Sequence, residues 1–95
     1  MTELEQLRSQ IDLVDHELTD LLNQRFSLTE LIAAIKEETG QPVLDTGRET
    51  KVIQKVTSSI NNPELADSIA TIFQVIMDES KQQQKNLLQL GEVRK

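Results

Sequence analysis

The stretch LEQLRSQIDLVDHELTDLLNQRFSLTELIAAIK, residues 4–36, decides the fold of this chain. It contains no Gly or Pro, and its apolar residues follow the a/d heptad pattern of a helix that packs against another helix. We call these residues the seam: Leu4, Leu7, Ile11, Val14, Leu18, Leu21, Leu28, Ile32 and Ile35. Gly40, a residue type that commonly terminates helices, follows the run. The pattern predicts one unbroken helix of about 36 residues, a rod of about 54 Å.

The length of this rod indicates a dimer. A compact globule of this size has a radius of gyration of about 12 Å and a diameter of roughly 30–35 Å, so the rod would project far beyond it. Its apolar seam would then be exposed unless another chain covered it. We therefore expect an intertwined homodimer in which two long helices pack antiparallel about a twofold axis. The alternative is a helix that kinks and folds back, which the absence of Gly and Pro disfavours.

Two further helices are expected after the first. The second begins near Asp45 or Thr46, which are both good N-caps, and Thr46 and Glu49 have the spacing of a capping box. The third begins at Pro63, with Asn62 as its N-cap, and runs to about residue 90. The fold class is therefore predicted as all-α, with a long, a short and a long helix per chain. We assign residues 1–90 to one domain and residues 91–95 to a frayed tail.

Composition excludes several classes of function. The chain has 95 residues, no Cys and one His, so disulfides and the usual metal sites are not expected. Its net charge of −6 argues against nucleic acid as a partner. No window approaches the roughly 20 apolar residues of a membrane span, and the N-terminus has no targeting pattern. We expect a cytoplasmic protein with no membrane, metal or cofactor requirement.

The basic residues of the first helix are few and share one stripe. Arg25 occupies an a position of the seam, where a cation needs an anionic partner. Taken alone, it is best explained as a specificity device or as half of a buried ion pair. Lys36 follows after about three turns, so both side chains point the same way about 16 Å apart, although a lysine also simply suits a helix C-terminus. Arg8 lies about 42 Å before Lys36 and reaches that region only from an antiparallel partner chain.

The later helices add polar residues to the same candidate pocket. Arg48 and Glu49 follow Asp45 in the first turn of the second helix, where a capping role for Glu49 is an open alternative. Ser80 and Gln84 interrupt the apolar stripe of the third helix, and polar groups there need hydrogen-bond partners unless they face the surface. Together with the three earlier cations they describe one pocket without a nucleophile–base pair. Such a pocket favours chemistry that orientation and electrostatics accelerate alone.

These residues resemble the all-α (AroQ) chorismate mutases, especially the short helical type fused to prephenate dehydratase in enteric bacteria. The resemblance covers about residues 4–90. It implies a cofactor-free isomerase that rearranges chorismate to prephenate, the branch step toward Phe and Tyr. The segments that carry it are Leu7-Arg8-Ser9-Gln10-Ile11-Asp12, Leu22-Asn23-Gln24-Arg25, Ile35-Lys36, Asp45-Thr46-Gly47-Arg48-Glu49, and Phe73-Gln74-Val75-Ile76-Met77-Asp78-Glu79-Ser80 with Gln84.

The resemblance also implies roles for single residues. Arg25, with Arg8 of the partner chain, would pair with the two substrate carboxylates. Lys36 and Gln84 would donate hydrogen bonds to the ether oxygen, which gains negative charge as its C–O bond breaks.

For the other end of the pocket, the resemblance implies that Glu49 and the backbone near Asp45 hold the ring hydroxyl. Arg48 and Ser80 would complete the carboxylate end. Gly47 loosens this segment and leaves the roles of Asp45 and Arg48 less defined. We also expect a monofunctional enzyme without a feedback site on this chain, while a modulating partner enzyme stays an open question.

Two other functions compete with this interpretation. An isochorismate-pyruvate lyase of the same fold would use the same carboxylate contacts, but the presence of both Glu49 and Gln84 favours the mutase. A non-catalytic helical dimerisation module would explain the heptads. It would not explain why Arg8, Arg25 and Lys36 all lie on the side of the helix that carries the seam.

Overall fold

The chain forms three α-helices in a computed structural model: α1 (Glu3–Thr39), α2 (Thr46–Thr57) and α3 (Pro63–Arg94). The backbone is described for residues 2–94 and the side chains for residues 2–89, and no strand occurs within residues 2–94. The predicted all-α class with three helices is confirmed. α3 continues past the predicted end near residue 90. The predicted fraying of residues 91–95 lies outside the described side chains and stays a prediction.

Both ends of α1 are closed by local hydrogen bonds, and the end at Gly40 is the one that the sequence predicts. The Thr2 side chain accepts a hydrogen bond from the backbone N–H of Glu5 at 3.1 Å. At the other end Gly40 has φ 73°, a left-handed conformation in which Gly avoids the strain of a Cβ. The N–H of Gly40 donates to the carbonyl of Glu37 at 3.4 Å, and that of Gln41 donates to the carbonyl of Lys36 at 2.9 Å. This is a Schellman motif, which ends the helix at Thr39.

The N-caps of α2 and α3 are side chains that accept hydrogen bonds from the first turn of each helix. A carboxylate oxygen of Asp45 accepts from the backbone N–H of Arg48 at 3.0 Å, so Asp45 is the cap of α2. The alternative of a Thr46–Glu49 capping box is wrong, because Thr46 is already within the helix. The carboxylate of Glu49 is therefore available for contacts with α3. The predicted cap of α3 is confirmed, since the side chain of Asn62 accepts from the N–H of Glu64 at 3.0 Å.

α3 runs parallel to α1 and packs against both α1 and α2. Two hydrogen bonds fix this arrangement, Arg25 to Ser80 and Gln84 to Thr29, and both join residues 55 apart in sequence. An equal separation at two points one turn apart means that α1 and α3 run in the same general direction where they meet. α2, which connects them in sequence, packs on α3. The α1 face that packs on α3 includes Ala33, which is fully buried.

The opposite face of α1 is not covered by this chain. Every residue from 2 to 21 is exposed, and the seam side chains are between 45% and 60% exposed. The molecule measures 57 × 30 × 14 Å with a radius of gyration of 17.2 Å, against about 12 Å for a compact chain of this length. The alternative of a helix that folds back on itself is wrong, because α1 is continuous from Glu3 to Thr39.

Among the described residues, no helix has the length and apolar composition that crossing a membrane requires. The location of the protein in the cytoplasm stays a prediction.

The two glycines of the α1–α2 region give a test of these backbone assignments. Gly40→Ala places a Cβ on a left-handed residue and should destabilise the fold by about 1 kcal/mol. Gly47 lies inside α2 without positive φ, and a Cβ there meets only the side chain of Asp45 at 3.5 Å. Gly47→Ala should therefore stabilise the fold by about 0.4–1 kcal/mol. Urea unfolding of both variants gives the sign of each change in the free energy of unfolding. Equal changes in the two variants would contradict the left-handed conformation of Gly40 and the helical conformation of Gly47.

Candidate active-site cleft

A cleft lies where the C-terminal half of α1, the N-terminal turns of α2 and the middle of α3 meet. Apolar side chains form part of its wall, among them Ile32, Val52 and Met77. Seven of the eight predicted site residues also line it: Arg25, Lys36, Asp45, Arg48, Glu49, Ser80 and Gln84. The structure thus brings together residues from all three helices, while their roles in binding and catalysis stay predictions.

Arg8 is the predicted site residue that does not line the cleft. It lies on the exposed N-terminal part of α1, 28 residues before Lys36, which corresponds to about 42 Å along the helix. Within one chain it therefore has no access to a ligand in the cleft.

Arg25 is held in the cleft by Ser80. Its Nη1 donates to Ser80 Oγ at 3.2 Å, and this hydroxyl in turn donates to the carbonyl of Ile76 at 2.8 Å. Ser80 is 5% exposed, so the alternative that it faces the surface is wrong. The alternative in which Arg25 pairs with an acid of another helix is also wrong. Among the described residues, its partner is the Ser80 hydroxyl and no carboxylate. Burial, and secondarily the nearby Arg48 guanidinium, lower the pKa of Arg25.

Gln84 is buried and oriented from α1. Its Nε2 donates to the backbone carbonyl of Thr29 at 2.8 Å, and its side chain is 5% exposed. The surface-facing alternative is therefore wrong for this residue as well. A primary amide has two N–H bonds, so the bond to Thr29 fixes the amide plane and leaves one donor for a ligand.

Lys36 connects α1 to the segment that precedes α2. Its Nζ donates to the carbonyl of Val43 at 3.1 Å, so it does more than interact with the end of its own helix. An ammonium group has three N–H donors, and two remain for a ligand.

Glu49 contacts two residues of α3. Its Oε2 lies 2.9 Å from Lys81 Nζ, and its Oε1 accepts from Gln74 Nε2 at 3.2 Å. Asp78 completes the cluster, since it lies 3.2 Å from Lys81 Nζ and accepts from Gln74 Nε2 at 3.0 Å. The hydrogen bonds from Gln74 and Lys81 lower the pKa of Asp78, and the bond to Glu49 raises the pKa of Lys81.

Lys81 is a charged cleft residue that the sequence interpretation missed. It lines the cleft together with Met77, Ser80 and Gln84. These four positions follow the i, i+3, i+4, i+7 spacing of a single helix face. Extending the polar stripe of Ser80 and Gln84 by this rule would have included Lys81.

The electrostatics of the cleft favour an anionic ligand. Within residues 2–89, no carboxylate forms a salt bridge with Arg25, Lys36 or Arg48, whereas Lys81 is paired. Three cations without a carboxylate partner among these residues thus gather in one cleft of a chain whose net charge is −6. The described residues contain no group of three or more His, Asp or Glu placed to hold a metal ion. Fold and cleft together define an all-helical protein with a cationic cleft, which suits a small anionic molecule.

Comparison with known proteins identifies the family. Residues 7–85 match the family model for chorismate mutase type II, and the chain belongs to this family. It is 29% identical to a chorismate mutase of Methanocaldococcus jannaschii, over 90% of this chain and 88% of that protein. A chorismate mutase structure from Thermus thermophilus superposes with a TM-score of 0.78 at 28% identity, covering 83% of this chain and 99% of that one.

Longer relatives contain a similar segment. The bifunctional chorismate mutase/prephenate dehydratase of Buchnera aphidicola subsp. Schizaphis graminum is 35% identical over 85% of this chain. This chain spans 21% of that protein's length. The resemblance to the all-α chorismate mutases that the sequence suggested is therefore confirmed, including its link to the mutase part of bifunctional proteins.

The lowered pKa of Arg25 means that its surroundings disfavour the charged guanidinium in the free protein. We expect Arg25→Met to leave the thermal unfolding midpoint unchanged or to raise it, because no donor is left unsatisfied: Ser80 keeps its bond to Ile76. Lys51→Met, which removes one positive charge from an exposed site of α2, is the matched control. A clear drop in midpoint for Arg25→Met alone would show that Arg25 is a structural residue.

Proposed function

We propose that this chain catalyses the rearrangement of chorismate to prephenate, with its own side chains as the only catalytic groups. The observation that supports this most directly concerns Arg25, Lys36 and Arg48: all three line one cleft, and none forms a salt bridge with a carboxylate within residues 2–89. Chorismate carries two carboxylates, so its binding would compensate the charge that this cleft concentrates. Membership of the family supports the same reaction.

Arg25 is proposed to bind one carboxylate of the substrate within the cleft, and Arg48 is proposed to complete that end of the pocket. Arg25 uses one guanidinium nitrogen on Ser80 and keeps its other donors for a planar, bidentate contact. Such contacts select the folded substrate conformer, in which the two carbons that form the new bond lie close together. Selection of that conformer accelerates a unimolecular rearrangement by lowering the entropy loss on the way to the transition state.

Lys36 and Gln84 are proposed to act on the ether oxygen. This oxygen gains negative charge as the C–O bond breaks, so a donor aimed at it stabilises the transition state more than the ground state. Both residues are already oriented by protein carbonyls, those of Val43 and Thr29, and both keep a further N–H. Little reorganisation would then be needed during the reaction.

Glu49 is proposed to accept a hydrogen bond from the ring hydroxyl, with the backbone near Asp45 beside it. A carboxylate has about four acceptor positions, and Lys81 and Gln74 occupy two of them. The remaining positions leave room for the hydroxyl of the substrate.

A homodimer is proposed to complete the site. The seam of α1 is half or more exposed at most positions in the single chain, and a second α1 packed antiparallel would cover it. This pairing would also bring Arg8 of the partner over the region between Arg25 and Lys36, where it would bind the second carboxylate.

The role of Gln84 can be tested with its neighbour as control. We expect Gln84→Met to lower kcat by about 10²–10³-fold, because one donor to the developing oxyanion is lost. Gln83→Met, at an exposed position of the same helix, should retain turnover. Chorismate depletion and prephenate formation, followed by chromatography, give both rates. Equal rates for the two variants would remove Gln84 from the mechanism.

Mixing two inactive variants tests the proposed sharing of residues between chains. Arg8→Ala and Arg25→Ala should each lose nearly all turnover while keeping their helical circular dichroism. In a mixed dimer, one site would regain both arginines and the other would lack both. Random exchange of chains should therefore restore about a quarter of wild-type activity.

Two results of these assays would overturn the proposal. Failure of the mixture to regain activity, together with a monomeric mass in solution, would exclude the shared site. Release of pyruvate from isochorismate, with no prephenate formed from chorismate in a parallel assay, would assign the chain to the lyase reaction instead.

A further inference from the structure

We infer that Lys81 is a positioning residue, which fixes the carboxylate of Glu49 in the orientation that accepts the ring hydroxyl of the substrate. The inference rests on the proposed function and concerns a residue to which that function assigns no role. Lys81 lines the cleft, yet its ammonium is directed at Glu49 and Asp78.

The geometry around Glu49 is that of a two-point clamp. Its Oε2 contacts Lys81 Nζ at 2.9 Å and its Oε1 accepts from Gln74 Nε2 at 3.2 Å. Two partners on different oxygens fix the plane of a carboxylate, whereas one partner leaves it free to rotate. The clamp therefore removes rotamer freedom from Glu49 before a ligand arrives, and this reduces the entropy lost on binding.

Burial distinguishes this ion pair from an ordinary surface pair. The side chains of Lys81 and Glu49 are 22% and 18% exposed. Those of His16 and Asp20, on the outer surface of α1, are 78% and 65% exposed. Solvent screens the first pair less, so it holds its geometry better than an exposed pair does.

Asp78 fixes the ammonium from the other side. Its Oδ1 lies 3.2 Å from Lys81 Nζ, and the same carboxylate accepts from Gln74 Nε2. Lys81 thus bridges two carboxylates and remains protonated at neutral pH, since both contacts raise its pKa. The two carboxylates carry more negative charge than the one ammonium group balances. This corner of the cleft can therefore accept a hydrogen bond from a hydroxyl group, and it repels a carboxylate.

The alternative role for Lys81 is direct contact with a carboxylate of the ligand. The two roles predict different couplings with Glu49. A residue that acts through Glu49 loses its effect once Glu49 is changed, whereas a residue that contacts the ligand directly keeps it.

The test uses Lys81→Met, Lys81→Arg and the control Lys85→Met, which changes an exposed lysine one turn further along α3. We expect Lys81→Met to lower kcat/KM by about tenfold or more, because a mispositioned group near the substrate has effects of this size. The loss should fall mainly on KM, since the hydroxyl contact is nearly the same in ground and transition states. Lys81→Arg should recover most of the loss, and Lys85→Met should behave as wild type.

The decisive measurement is the double-mutant cycle with Glu49→Gln. In that background, Lys81→Met should change kcat/KM by less than about twofold. The inference would be overturned if folded Lys81→Met had an unchanged kcat/KM, or if the loss were equal in the wild-type and Glu49→Gln backgrounds. In either case, turnover by the wild-type protein would leave the proposed function intact. No turnover by the wild-type protein would overturn both.

Thermal unfolding of each variant separates a loss of fold from a loss of positioning. If Lys81→Met unfolds, Lys81→Gln replaces it in the cycle. Glutamine keeps a hydrogen-bond donor without the charge, so its kcat/KM should lie between those of Lys81→Met and wild type. A value equal to that of wild type in the folded Lys81→Gln protein would likewise overturn the inference.

Discussion

The helix α1 is longer than one chain of this size can cover, and the rest of the structure depends on that constraint. Its 37 residues extend well beyond the part against which α3 packs. α3 covers one face of its C-terminal half, and the apolar seam and residues 2–21 stay exposed. An isolated helical end of this kind is marginally stable in water, so its stability must come from packing. A second copy that supplies this packing is the economical solution, and the same pairing would deliver Arg8 to the cleft.

Arg25 lies at the boundary between the two faces of α1. It occupies an a position of the seam, yet its guanidinium points to Ser80 on α3 and lines the cleft. Burial and Arg48 both disfavour its charge in the free protein, as the lowered pKa indicates. A site that binds a dianion must hold cations close together before the ligand arrives, and the fold tolerates this repulsion because the ligand would relieve it.

The sequence predicts the elements of this fold better than the contacts between them. The bounds of α1 follow from the absence of Gly and Pro and from the glycine at 40, since these act locally. Whether Ser80 and Gln84 face the cleft or the surface could not be decided locally, because either register of α3 suits a polar run. Packing against α1 decides it. The pairing of Glu49 with Lys81 was missed for the same reason, since it depends on how α2 and α3 align across the connection between them.

The donors of the cleft are oriented by contacts within the protein, and this arrangement suits the proposed reaction, which needs no acid–base group. Gln84, Lys36 and Arg25 each use one donor on a protein oxygen, those of Thr29, Val43 and Ser80, and keep others. The first contact sets the direction of the group, and the remaining donors would act on the substrate in the proposed reaction. The proposed reaction breaks and forms bonds within one molecule, so its barrier responds to conformation and to charge at the ether oxygen. A fixed set of oriented donors selects the reactive conformation and stabilises the charge at the ether oxygen. Flexible donors would have to reorganise during the reaction, and this would reduce the rate enhancement.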